Sequence, residues 1–398
     1  MRRAAWLMTC AAIAAAWSPV AASADLLDWS VSPFTTDVGD ATLTVGGSAD
    51  GAVFGANQPN FPGLDESGVT GAASVYANLT RSYDTGMVIG LKSVFEVFHD
   101  RLSGDNYGSD LVQKVFGTVQ TGLGRVEVGM TDGVGYALAV TGPVVDGVTS
   151  LDNPNATFYR DPSTGVAFIN VFAPNTAVEP TYNYAKMAYY SPRLFGAQIA
   201  VSFTPSEGKD VIPFLNSGPQ VPNRQRGIWE VVANYQGSSG RLSYSLSAAI
   251  ALGHATDKTP GHHGLTDWAL GAQGDYDLTD DMKLSFGGAY RQTNQYAFDI
   301  NNALATGDTR VLHLGTTLTK GEWIVGGEYS TGSADGSLGS PTLGEHGAEA
   351  SVGYVLNTNM QITGGWQQFR YSRNSGVFYN GSSRITMDAL FLHLNFHI

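Results

Sequence analysis

The chain has 398 residues and a net charge of −13, from 22 Lys+Arg against 35 Asp+Glu, and only 14% of its residues are charged. Soluble globular proteins run near 25% charged, and 49 Gly with 11% aromatic residues fit poorly with a soluble α-rich enzyme. The acidity argues against nucleic acid as a partner, which calls for clustered Lys and Arg, and the apolar and aromatic content argues against disorder.

The chain opens with a basic head, Arg2 and Arg3, an apolar stretch from Ala4 to Trp17, and the A-x-A site Ala22-Ser23-Ala24. That order predicts a signal peptide over 1–24 and an exported domain over 25–398. The single cysteine, Cys10, leaves with the signal. Thiol catalysis, disulfides and cysteine metal sites are thereby excluded from the exported chain. No later stretch approaches the roughly 18 apolar residues of a transmembrane helix. The exported protein is therefore secreted, periplasmic or an outer-membrane barrel.

Residues 25–40 read as an irregular leader. After them, period-two alternation recurs in segments of about ten residues, the signature of a membrane-spanning barrel. In the third strand Met87, Ile89, Leu91, Ser93, Phe95 and Val97 oppose Lys92 and Glu96, and the fourth carries Lys114 and Gln120. In the fifth, Val126, Val128 and Met130 oppose Arg125 and Glu127. Arg291 opposes Met282, Leu284, Phe286 and Tyr290, and the facing of Arg370 and Arg373 is ambiguous. At the end of the chain Leu390, Leu392, Leu394, Phe396 and Ile398 oppose Ala389, Phe391, His393, Asn395 and His397.

Tight turns alternate with long connections. The turns are Asp84-Thr85-Gly86, Gly122-Leu123-Gly124, one holding Ser191-Pro192, Gly237 to Gly240, Leu278 to Asp281, Lys320-Gly321 and Asn357-Thr358-Asn359. The long connections are 55–67, 99–109, 132–180, 206–226, 255–265, 298–308, 332–346 and 374–383. This predicts an all-β, sixteen-stranded antiparallel transmembrane barrel with both termini at the short-turn end. Lipid cannot hydrogen-bond a free backbone group, so strands cross a bilayer only as a closed sheet. Tyr235, Tyr276, Trp323 and Tyr354 beside short turns suit an interfacial girdle.

The connection over 132–180 exceeds its neighbours and calls for a role. It holds Asp132, Asp146, Asp152, Asp161 and Glu179 against one basic residue, Arg160. It is read as folding inward to constrict the pore, because a barrel of this size leaves an aqueous channel to narrow. A solvated external loop, or a loop covering a neighbouring subunit, is the alternative. Its apolar Val166 to Phe172 could supply an additional strand and a count of eighteen.

The expected pore wall is Lys92, Glu96, Lys114, Arg125, Glu127 and Arg291, since a lipid-facing Lys or Arg costs about 2–4 kcal/mol at mid-membrane. Lys92, Lys114 and Arg125 on successive strands would form one basic patch facing the loop carboxylates, and the field between them would screen solutes by polarity as well as size. Mutual neutralisation within the wall, as of Lys92 by Glu96, is the competing reading. Among weaker signals, His262-His263 reads as solvated, Gly46-Gly47 lacks a phosphate-loop context, and His393 with His397 has no nucleophile elbow. No catalytic constellation, cofactor site or metal site is expected.

Ala41-Thr42-Leu43-Thr44-Val45-Gly46-Gly47-Ser48-Ala49-Asp50-Gly51 resembles the opening strand of the general diffusion porins of Gram-negative bacteria, particularly alphaproteobacterial ones. Tyr189-Tyr190-Ser191-Pro192-Arg193-Leu194-Phe195-Gly196 is similar to that family's Tyr-x-Ser-Pro-x-Phe/Leu-x-Gly turn, the most specific match, and the alternating C-terminal strand resembles the family's insertion signal. The resemblance implies an outer-membrane barrel, usually a homotrimer, with a third external loop bent inward opposite a basic wall, inserted by the barrel-assembly machinery into outer-membrane lipid. The Pro-Glu-Phe-Gly-Gly loop motif is absent, and Ile398 stands where a terminal Phe is typical. The expected function is passive diffusion of small hydrophilic solutes and ions, with a preference for cations. The alternatives are a substrate-selective channel, with Phe116 or Phe369 on a sugar track, and a plugged structural or adhesin barrel.

Overall fold

A strand lying between lipid and water must turn every second side chain outward, and the observed sheet obeys that rule. The computed structural model describes residues 32–57, 67–100, 112–153, 175–206, 225–255, 263–294, 297–298, 304–305, 308–335, 342–377 and 381–398. Sixteen strands close on themselves. The first half comprises β1 (Ala41–Asn57), β2 (Ser67–Ser82), β3 (Val88–Asp100), β4 (Val112–Thr121), β5 (Gly124–Met130), β6 (Ala185–Tyr190), β7 (Ala197–Ser206) and β8 (Gln225–Ser239). The second comprises β9 (Leu242–Ala255), β10 (Thr266–Thr279), β11 (Met282–Thr293), β12 (Thr309–Lys320), β13 (Trp323–Ala334), β14 (Leu343–Asn357), β15 (Met360–Arg373) and β16 (Arg384–His397). Each strand runs antiparallel to the next, and β16 pairs with β1 from Asp388↔Asn57 to His397↔Ser48 to close the ring. Closure leaves no open ladder in the bilayer.

The expected facing holds along most of each strand, but Met130, expected on the lipid face with Val126 and Val128, is buried at the end of β5. Val128 is 55% exposed while its neighbour Glu127 is buried, and Leu392 is 47% exposed beside buried Phe391 and His393. Aromatic pairs ring the outer face at both ends. Near the short turns Trp323 meets Tyr354 at 4.8 Å and Tyr235 stacks on Tyr244 at 6.0 Å. Toward the long loops Phe203 meets Trp229 at 4.8 Å and Trp268 meets Tyr290 at 5.3 Å. This is where an amphipathic ring bridges hydrocarbon and headgroup.

The leader is more ordered than expected. Phe34–Val38 is a short strand paired with Ala41–Val45 of β1 through a turn at Gly39 and Asp40. It takes up the edge of β1 next to the stretch that β16 pairs, and at the junction Ile398 and Gly47 exchange backbone hydrogen bonds at 2.8 and 3.0 Å. The turn expected at Gly237 to Gly240 is tighter, because β8 runs to Ser239. The 298–308 connection holds a small ladder, Ala297–Phe298 with Leu304–Ala305. Val166 to Phe172 lies outside the described residues.

The apolar core does not fill the barrel, since sixteen strands enclose more space than side chains occupy. It lies between the inward wall and the β5–β6 connection. Val134 is buried with Ala188, Tyr190, Ala200 and Val232. Val178 is buried with Ile228, Ala251 and Leu265. Leu151 is buried among Phe54, Phe369, Tyr371, Ile385, Met387 and Phe391.

Candidate functional site: the lumen

The β5–β6 connection begins with a one-turn helix, α1 (Val134–Ala137), and the segment that follows meets inward side chains of strand after strand. Val134 N–H donates to Ser202 Oγ on β7 (3.4 Å), Gly135 N–H to Glu230 Oε2 on β8 (3.1 Å), and Val140 N–H to Ser247 Oγ on β9 (2.9 Å). Gln361 Nε2 and Gln367 Nε2 on β15 donate to Val145 O (2.8 Å) and Thr149 O (2.7 Å). Glu328 on β13 accepts from Ser150 Oγ at 2.7 Å and Leu151 N–H at 3.0 Å. Carboxylates and amides on the wall thus satisfy loop backbone groups that helix or sheet would otherwise have to pair.

Two glycines permit this approach. A Cβ on Gly271 would lie 1.7 Å from Val140 O, and one on Gly315 would lie 2.1 Å from Pro143 O. No other residue fits under a backbone that passes so close.

The expected wall residues face the lumen, but they do not form one basic patch. Lys114 Nζ lies 2.6 Å from Asp132 Oδ2, so an expected wall cation and an expected loop carboxylate meet directly. Arg125 Nε lies 3.0 Å from Glu127 Oε1, and its guanidinium covers the Tyr190 ring at 4.3 Å. Arg291 grips Asp267 with Nε at 2.9 Å and an Nη at 2.6 Å, both residues buried. The register explains the dispersal. Lys92 lies opposite Phe116, Lys114 opposite Val94, and Arg125 opposite Gln120. From Lys114 to Gln120 is about 20 Å of strand. Lys92 and Glu96 do not pair: Glu96 accepts from Gln113 Nε2 at 2.8 Å, and among the described residues no ion pair engages Lys92.

The loop carboxylates separate by environment. Burial pushes the Asp146 carboxyl up, but the hydrogen bond from His393, that imidazole's charge and the Val148 N–H outweigh it and hold the group below its ordinary value. Burial raises Asp152 above its ordinary value despite the charge of His313 and the hydrogen bonds from Thr176 N–H at 2.8 Å and Thr176 Oγ1 at 2.6 Å. Burial also raises Glu179, against a hydrogen bond from Asn175 and the charge of Arg291. Asp161 lies outside the described residues. Phe369 is buried against Tyr371, with ring centroids 5.8 Å apart, and cannot line a sugar track.

A family model for the Gram-negative porins matches residues 9–374. The chain belongs to that family. The outer membrane channel DcaP of Acinetobacter baumannii is similar to this porin at a TM-score of 0.59 and 13% identity, over 92% of this chain and 100% of that one. A Salmonella typhi OmpF complex with daunomycin gives 0.56 and 13%, over 91% and 100%. An anion-selective porin from Comamonas acidovorans gives 0.52 and 14%, over 90% and 100%. No curated protein matches by sequence. The porin is a passive diffusion channel of the outer membrane, and its family and fold point to a non-enzymatic role.

Sequence reasoning passed over four groups that hold this porin's loop, Glu230, Glu328, Gln361 and Gln367, and weighed His393 only as a triad member, not as the partner of Asp146. Their signal was present. Glu230 stands between Trp229 and Val231, both exposed, and Glu328 beside exposed Tyr329, so alternation alone turns these carboxylates inward. What alternation omits is the partner. Ser150 and Glu328 are 178 residues apart, and no local pattern links them.

Proposed function

We propose that the porin admits small hydrophilic solutes and ions through a constriction formed by the loop carrying Asp132, Asp146, Asp152 and Asp161, against a wall that includes Lys92, Glu96, Lys114, Arg125, Glu127 and Arg291. The observation that carries this reading is the run of hydrogen bonds from Val134 to Leu151 onto inward side chains of β7, β8, β9, β13 and β15. A backbone held along those strands takes up lumen cross-section, and solutes are then sorted by size and by the charges left facing water. With Lys114, Arg125 and Arg291 paired, the net charge of −13 favours cations. No catalytic step or cofactor enters this mechanism. The proposal includes export by a signal peptide over 1–24, insertion by the barrel-assembly machinery, and assembly as a homotrimer.

Reconstitution into planar bilayers tests it. Stepwise conductance in multiples of three is expected, with reversal potentials in a salt gradient that show cation preference. Anion preference would reject the charge assignment, and absence of any conductance would reject the open channel.

A further inference from the structure

The outer face of this barrel meets lipid, where an arginine is costly, yet β12, β15 and β16 carry arginines on that face at the long-loop end. Arg370 shares its face of β15 with exposed Trp366, and Arg384 shares its face of β16 with exposed Leu392. The register sets His346 opposite Arg370, and Ser372 opposite Arg384. These four line one cavity of about 490 Å³, in which no Asp or Glu takes part. Arg310, outward on β12, stands opposite Ser333 at the rim of the same cavity.

The guanidinium groups are not equally occupied. Arg373, also in the lining, donates to Val377 O at 3.1 Å, and Arg310 lies 4.0 Å from Asp308. Arg370 and Arg384 are exposed, and among the described residues no ion pair or hydrogen bond engages either guanidinium, Arg384 donating only its backbone N–H, to Ser382 Oγ. The nearest outward carboxylate toward mid-membrane, Asp388, is taken up by Gln368 at 2.7 Å. One step further in, Trp366 pairs with Leu390 and the face turns apolar. Beyond β16 the ring passes directly into β1, where exposed Val53 stands opposite Leu392, and then into β2, where exposed Val69 stands opposite Val53, so the apolar surface continues there.

An unengaged arginine fork matches the oxygens of a phosphate, and the apolar surface beneath matches acyl chains. A ligand carrying both is an amphiphile lying in the outer leaflet. We propose that this cavity binds the phosphate of an outer-leaflet lipid headgroup, with Arg370 and Arg384 as the phosphate ligands and the acyl chains against Trp366 and Leu390. The site makes one flank of the barrel a lipid-holding face.

The test is native mass spectrometry of the full porin in detergent micelles, titrated with bisphosphorylated lipid A, with its phosphate-free analogue, or with inorganic phosphate. Retention of the phosphorylated lipid is expected, with the analogue and inorganic phosphate each bound at least tenfold more weakly. R370Q/R384Q should weaken lipid binding by roughly tenfold per arginine, and R81Q at the short-turn end should leave it unchanged. Single-channel conductance of R370Q/R384Q should match the parent, since neither residue faces the lumen, and this doubles as the check on folding. If the double variant does not fold, R384Q alone carries the comparison. Undiminished binding by the folded variant, or equal binding of the phosphate-free analogue, would overturn the proposal. Equal binding of inorganic phosphate alone would overturn the lipid assignment.

Discussion

Arg291 and Asp267 illustrate how single charges behave in this lumen. Both are buried and joined by two near-parallel hydrogen bonds, so removing one partner strands the other in a low-dielectric wall. Arg291→Met should destabilise the porin by about 3–5 kcal/mol, while the double change with Asp267→Leu should recover most of that loss. Urea unfolding from lipid vesicles measures both. Asp146 and Asp152 respond to pH in opposite senses. The Asp146 carboxyl lies below its ordinary value, so its stabilising contribution is present above that value and is lost as pH falls through the depressed one. Asp152 and Glu179 lie above their ordinary values through burial; their contribution is present below those values and is lost as pH rises through the raised ones. Loop attachment, read by protease protection of residues 134–151, should therefore strengthen as pH falls from neutral and weaken below the ordinary carboxylate range. Asp146→Asn should abolish the second phase. Lys92, which lacks an ion-pair partner among the described residues, should govern selectivity more than paired Lys114. Lys92→Gln is expected to move the reversal potential further toward cations than Lys114→Gln does.

The β5–β6 connection hydrogen-bonds side chains of β7, β8, β9, β13 and β15, and its position depends on glycine as much as on charge. Gly271 and Gly315 leave room for Val140 O and Pro143 O. Gly271→Val should push residues 139–145 off the wall while sparing the strand ladder, because β10 keeps its pairing with β9 and β11. The expected result is an unchanged β-sheet circular-dichroism spectrum with an altered, noisier single-channel conductance. An unchanged conductance would mean that this stretch does not limit the pore. At the other end, the strand Phe34–Val38 extends the barrel rim beyond the C-terminus. The sequence there is only five residues long with a single apolar step, too short for alternation to reveal, and it docks on Ala41–Val45, the part of β1 that β16 does not pair.

For the whole molecule, the decisive asymmetry is an apolar exterior around a polar interior. Outward residues such as Leu392, Leu314 and Val128, each between 46% and 55% exposed, are covered only by hydrocarbon. Leu392→Arg should cost about 2–4 kcal/mol in refolding into bilayers and leave ion selectivity unaltered, since the side chain never sees the lumen. A soluble sandwich would instead bury this face against a second sheet.

Strand number, facing, turn positions and the membrane itself were legible in the chain, because a side chain's direction in a β-strand is a local property with period two and a turn announces itself through Gly, Asp and Asn. The inward facing of Lys92, Lys114, Arg125 and Arg291 followed for the same reason. Their partners did not. Lys114 meets Asp132 across the β4–β5 hairpin, but Ser150 finds Glu328 only once closure of the ring brings the late strands around to the loop that leaves β5. Pairing across a closed barrel is set by shear and loop path, which act over the whole circumference and leave no trace in any window of sequence.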